Sequence, residues 1–164
     1  MPPTKVIAFH IPDDPALLAA FGEVALRHEH MSHILRMTMK SLAGITPLAA
    51  TAATMYEGSR QLRDRAKTLA RKRLGEGAPL MKLQALINAC GALSDERNDL
   101  VHGLWAKELD GEAHIRNAFG KVRPLPTAQQ LKDLANRIES LTSSLNHERL
   151  KGFLAEALVK RLDA

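Results

Sequence analysis

Cysteine and aromatic residues are both scarce in this chain: of its 164 residues one is cysteine, Cys90, and 4% are aromatic. A lone cysteine cannot form a disulfide within the chain or a cysteine zinc site, so a reducing cytoplasm is the expected location. Val and Ile together number 12, against 49 for Ala and Leu. Because Ala and Leu favour helices whereas β-branched residues favour strands, this composition argues against a β-sandwich or a β-barrel.

Long apolar runs are also missing. No run approaches the ~20 residues that a membrane-spanning helix needs, so we expect no membrane partner. Residues 1–15 contain several Pro and Asp and one Lys, which is not the pattern of a secretory signal, and residues 1–13 are predicted to be irregular. The length fits a single domain over residues 1–164. The net charge of +5 and the pI of about 9.6 permit a polyanionic partner without proving one.

Helix start and stop signals divide the rest of the chain. Asp14 followed by Pro15 predicts a helix start, and Gly44 predicts the end of that helix near residue 42. The same kinds of signal predict further helices over residues 46–56, 60–74, 79–104 and 127–162. Gly91 and Ser94 either break the third of these or bend it. Residues 105–126 contain the hairpin-type dipeptide Asp110-Gly111, so a small hairpin or a loop is expected there.

The first predicted helix carries a seam of residues at alternating spacings of four and three. Its members are Leu17, Phe21, Val24, His28, Met31, Leu35, Thr38 and Leu42. This is the spacing of helices that pack nearly antiparallel. The fold class is therefore predicted to be all-α, an up-and-down bundle of about five helices. His28, which lies in the apolar seam, is interpreted as a hydrogen-bonded core residue.

The segment from Glu96 to Trp105 is the most informative part of the sequence. On an ideal helix, Arg97 falls on the same side as Leu100, which should face the core. Since arginine cannot lose its charge, it needs a carboxylate, carbonyl groups or a bound anion as its partner. Asn98, His102 and Trp105 would form another side, at or beside a dimer interface. Arg97 and His102 would be about 140° apart, so a second chain or a bend at Gly103 would be needed to bring them together.

The stretch Arg97-Asn98-Asp99-Leu100-Val101-His102 resembles the R-x4-H motif of the HEPN superfamily, and Gly103 and Trp105 also occur in many of its members. The resemblance implies a helical domain that homodimerises and places two motifs in one cleft. Many such domains are metal-independent endoribonucleases of the toxin or defence type, controlled by an antitoxin-type protein. Carried over, Arg97 and His102 would be the catalytic pair and Asn98 an auxiliary polar residue. No cofactor is implied.

This chemistry suits the residues. An imidazole can exchange a proton near neutral pH when the 2′-hydroxyl of RNA attacks the neighbouring phosphate. A guanidinium can stabilise the charge that then grows on the phosphorus centre. Two alternatives remain open: Arg97 is a structural anchor held by Glu96, Asp99 or a glutamate of another helix, or the fold is a non-catalytic dimerisation or partner-binding module.

Two other groups of residues have the composition of possible sites. The basic residues Arg60, Arg63, Lys67 and Arg71 form one stripe of a predicted helix, which either follows an RNA backbone or is a solvated face. The stretch from His28 to His33 lacks the histidine spacing of a zinc protease, and no metal site is predicted. Cys90 is expected to be buried and inert.

Overall fold

The computed structural model describes residues 7–109 and 111–160, and within them the chain forms six α-helices and four β-strands. The helices are α1 (Pro15–Ala43), α2 (Pro47–Thr54), α3 (Ser59–Leu74), α4 (Ala78–Val101), α5 (Ala128–Leu150) and α6 (Phe153–Lys160). The strands are β1 (Ile7–Phe9), β2 (Leu104–Glu108), β3 (Ala113–Arg116) and β4 (Val122–Pro124). The prediction of a mainly helical fold is confirmed.

The ends of α1 form as the sequence predicts. The Asp14 carboxylate accepts a hydrogen bond of 3.0 Å from the Leu17 amide, and Pro15 occupies the first turn. At the other end Gly44 adopts a left-handed conformation with φ of 67°, which costs glycine little because it has no Cβ. Local side-chain and backbone chemistry is therefore enough to set the limits of this helix.

The predicted seam of α1 faces the core. Seven of its eight residues are buried and Phe21 is half-buried. Helix α1 packs against α5 and α3, and α3 in turn packs against α4. One hydrophobic cluster joins the buried residues of these four helices, so the site described below rests on a continuous packed core.

The sheet corrects two expectations. Residues 1–13 are not irregular throughout, because Ile7–Phe9 pair antiparallel with β2. The segment over residues 105–126 is larger than one hairpin: the strands run antiparallel in the order β1-β2-β3-β4. A three-residue strand is too short to show a period of two in the sequence, and β1 exists because a strand distant in the chain supplies its hydrogen bonds. Asp110, half of the predicted turn dipeptide, lies outside the described residues.

Two helix predictions change as well. Helix α4 continues through Gly91 and Ser94 without a break, and it ends at Val101 rather than at residue 104. The last predicted helix is interrupted: α5 ends at Leu150, and α6 begins at Phe153, directly after Gly152. Position 162, its predicted end, lies outside the described residues. Within the described ranges, none of the helices has the length and apolar character required to cross a membrane.

Candidate anion and nucleic-acid site

The motif from Arg97 to His102 lies at the C-terminal end of α4. His102 caps this helix with φ of −97° and ψ of −5°, and its amide donates to the Asn98 carbonyl over 2.8 Å. Gly103 follows, and a Cβ there would lie 2.3 Å from Ile115 Cγ2 and 2.6 Å from the Asp99 carbonyl oxygen. Only glycine fits such a close approach of the helix end to β3. The chain therefore turns into β2 immediately after His102.

Trp105 does not extend the helix as predicted. It lies in β2, where its ring meets Phe21 edge-on with centroids 5.6 Å apart. Its indole N–H donates to the Leu100 carbonyl over 2.9 Å, which satisfies one of the free carbonyls at the end of α4. Leu109 follows β2 and is exposed. Trp105 thus closes the end of the helix, and it leaves His102 exposed.

Arg97, Asn98 and His102 all line one cavity of about 570 Å³ between α1, α3 and α4, hereafter the arginine cavity. The sequence predicted that Arg97 and His102 would converge poorly within one helix. The structure places both residues in the lining of the same cavity of a single chain. A second chain is therefore not needed to bring these two side chains to a common space.

Among the described residues, Arg97 has no carboxylate partner of the kind that a structural anchor would have. It is half-buried, and its Nη1 donates to Asn98 Oδ1 over 3.1 Å. Its Nε is buried and has no acceptor within the described residues. Glu96 instead forms a bidentate pair with Arg137, at 2.6 and 2.9 Å, and this contact holds the pKa of Glu96 below its usual value. Asp99 makes no ion pair with Arg97 either, since none of the described carboxylates does.

The predicted basic stripe is divided by the structure. Arg60 and Arg63, in the first turns of α3, line the arginine cavity. Lys67 and Arg71 lie further along α3 and do not line it. Half of the predicted RNA-binding residues therefore join the motif in one site, whereas the other half continue away from it along the helix.

His28 lies beneath the arginine cavity and is 5% exposed, which confirms its interpretation as a core residue. Its Nε2 lies 3.0 Å from Ser94 Oγ. Burial lowers its pKa from 6.5 to about 4; nearby Arg97 and Arg63 also lower it, and Glu29 opposes them. The imidazole is therefore neutral near pH 7.

Ser94 fixes which nitrogen of that neutral ring carries the proton. Its hydroxyl donates to the Cys90 carbonyl over 2.9 Å, and a hydroxyl has one proton to give. The two other groups at 3.0 Å, His28 Nε2 and Ser59 Oγ, must then be donors to Ser94. His28 is therefore the tautomer protonated at Nε2.

Several charged residues of the cavity escaped the sequence analysis. Arg36 lines it and pairs with Glu29 over 3.2 Å, and Glu57 lines it and pairs with Arg65. Their signal was not recognisable, since each residue lies in a different helix or loop.

The cavity arginines that remain without a carboxylate among the described residues are Arg60, Arg63 and Arg97. Asp95, which is exposed, is the cavity carboxylate that no described cation pairs. The site therefore has an excess of positive charge that suits an anion.

A metal centre is not indicated by the described residues, which contain no group of three or more His, Cys, Asp or Glu able to hold an ion. Glu29, which shares a helix face with His33, is engaged with Arg36.

No known family, no curated protein and no solved structure matches this chain.

Proposed function

We propose that this chain binds single-stranded RNA at the arginine cavity and cleaves it without a metal ion, in the manner that its R-x4-H motif implies. The observation that carries the proposal is that Arg97, without a carboxylate partner among the described residues, shares a cavity with the exposed imidazole of His102. A guanidinium in such a place can bind an anion, and an RNA phosphate is one.

Each side chain has a separate task in this reaction. His102 accepts the proton of the 2′-hydroxyl, whose oxygen attacks the adjacent phosphorus and displaces the 5′-oxygen. Arg97 stabilises the extra negative charge on the phosphate oxygens, and Asn98 holds Arg97 through the bond from Nη1 to its amide oxygen. The departing 5′-oxygen takes its proton from solvent or from the second imidazole that a homodimer would supply. The products are a 2′,3′-cyclic phosphate and a 5′-hydroxyl.

The size of the cavity favours a single strand. A volume of about 570 Å³ is in the range of pockets that hold one small ligand, so one nucleotide at a time can enter. Lys67 and Arg71, which continue along α3, are proposed to contact the phosphates that follow. The homodimer and an antitoxin-type protein that covers the cavity belong to the same proposal.

The test is cleavage of end-labelled RNAs of mixed sequence by the purified protein in EDTA. We expect cyclic-phosphate ends, no cutting where the nucleotide is 2′-deoxy, and a loss of at least about 100-fold in rate for His102→Ala. His33→Ala is the matched control, because His33 is also an exposed histidine but lies outside the cavity lining. Its rate should equal that of the wild type.

Two results would contradict cleavage. One is the absence of cutting across all the RNAs, and the other is an unchanged rate for His102→Ala. RNA that is bound but never cut would instead support the non-catalytic binding module. Light scattering of the purified protein tests the homodimer independently of any activity.

A further inference from the structure

Arg63 is held in place more firmly than a surface arginine of a solvated helix. Its Nη1 donates to Ser59 Oγ over 2.7 Å, and Ser59 in turn donates to Ser94 over 3.0 Å. Because the Ser94 hydroxyl donates to the Cys90 carbonyl, it accepts from Ser59. Ser59 in turn accepts from Arg63. The guanidinium of Arg63 is therefore anchored to α4 through two serines.

Gly91 provides the space for this arrangement. A Cβ at Gly91 would lie 3.2 Å from Arg63 Nε, 3.6 Å from its Cζ and 3.7 Å from its Cδ. The guanidinium thus lies directly against the surface of α4, where a Cβ would require it to shift by a few tenths of an ångström. This explains why α4 tolerates a glycine in its interior, a position that costs roughly 0.5–1 kcal/mol relative to alanine.

Arg63 and Arg97 approach the same floor of the cavity from two helices. Both line it, and both lie close enough to the buried His28 to influence its ionisation. Within the described residues neither makes an ion pair. Two guanidinium groups that line one cavity, each without an ion pair among the described residues, can both donate to the oxygens of one tetrahedral anion.

We propose that Arg63 and Arg97 together form a binding site for one phosphate group on the floor of the arginine cavity, with Ser59, Ser94 and Gly91 as positioning residues for Arg63. The proposal rests on the proposed function in assigning that phosphate to RNA. In this proposal Arg63 binds the phosphate that reacts. It does not contact successive phosphates of the RNA backbone from a solvent-exposed helix face.

The experiment measures binding of inorganic phosphate at constant ionic strength, by NMR signals of the arginine Nε–H groups. In the wild type the signals of Arg63 and Arg97 should shift together and saturate. Gly91→Ala changes no charge and favours the helix, yet its methyl group would lie 3.2 Å from Arg63 Nε and would shift the guanidinium by a few tenths of an ångström. We expect phosphate to bind about tenfold more weakly, as for the loss of one charge-assisted hydrogen bond.

Two controls separate positioning from general effects. Gly22→Ala makes the same change in α1, where nothing lies within 4 Å of the new Cβ, and it should leave phosphate affinity unchanged. Lys132→Ala removes an exposed charge of α5, outside the cavity lining, and should also leave it unchanged. If Gly91→Ala does not fold, Arg63→Lys serves in its place, because lysine keeps the charge but loses the planar fork, and it should weaken binding by a similar factor.

The proposal is overturned if Gly91→Ala and Arg63→Lys bind phosphate as the wild type does, or if phosphate shifts neither arginine signal. These outcomes are distinct from failure of the proposed function. Phosphate binding that depends on Arg63 and Gly91, in a protein that never cuts RNA, keeps the phosphate site and refutes cleavage. Cutting of RNA that is indifferent to both variants keeps cleavage and refutes the phosphate site.

Discussion

Comparison of the wild type with the His28→Gln variant tests how far the buried, neutral imidazole lowers the free energy of unfolding as the pH falls. The imidazole is 5% exposed, donates to Ser94 and has its pKa lowered to about 4, chiefly by burial. The charges that influence its pKa come from three helices: Arg97 on α4, Arg63 on α3 and Glu29 on α1. A glutamine amide can still donate to Ser94 but takes up no proton, so His28→Gln removes the titration and keeps a donor.

The size of the effect follows from the two pKa values. In the unfolded chain His28 takes up a proton near pH 6.5, whereas in the folded chain it does so only near pH 4. Between these values the unfolded state binds more protons, so the free energy of unfolding falls as the pH falls. At 1.36 kcal/mol per pKa unit, the wild type should lose about 2 kcal/mol by pH 5 and about 3 kcal/mol by pH 4 relative to the variant.

The assay is urea unfolding of both proteins at several pH values from 7.5 to 4. The difference between their free energies of unfolding cancels the other titrating groups that the two proteins share. It should be constant above about pH 7 and change steadily below that value. A difference that stays flat down to pH 4 would refute the reasoning, since it would mean that the folded imidazole accepts a proton as readily as the unfolded one.

Two further predictions concern positions near the site. Gly103→Ala should lower the free energy of unfolding by about 1–3 kcal/mol, because its methyl group overlaps Ile115 and a backbone carbonyl. The melting temperature should then fall by roughly 2–4 °C per kcal/mol in thermal unfolding. Gly22→Ala, whose methyl group meets open space, should cause no fall in melting temperature. Burial raises the pKa of the Cys90 thiol to about 11, so a disulfide reagent at pH 8 should label it only as the protein unfolds; complete labelling within seconds in native buffer would contradict this.

Local sequence determined the parts of the structure whose causes lie within a few residues. The cap at Asp14, the left-handed turn at Gly44 and the buried seam of α1 all follow from neighbouring side chains and helical spacing, and they were predicted correctly. The mainly helical fold follows from the scarcity of β-branched residues. The same local reasoning identified Arg97 and His102 as candidates and required a partner for the Arg97 charge.

Tertiary contacts decided what no local pattern contains. Strand β1 and the end of α4 at Val101 depend on pairing with distant strands and on the close contact of Gly103 with Ile115. Gly91 and Ser94 looked like helix breakers, yet they are small because Arg63 and His28 from two other helices lie against them. The sequence by itself therefore determined which charges the chain carries and which faces its helices bury. Only packing, which brings residues far apart in the chain within a few ångströms, decided that Arg60, Arg63, Arg97 and His102 share one cavity.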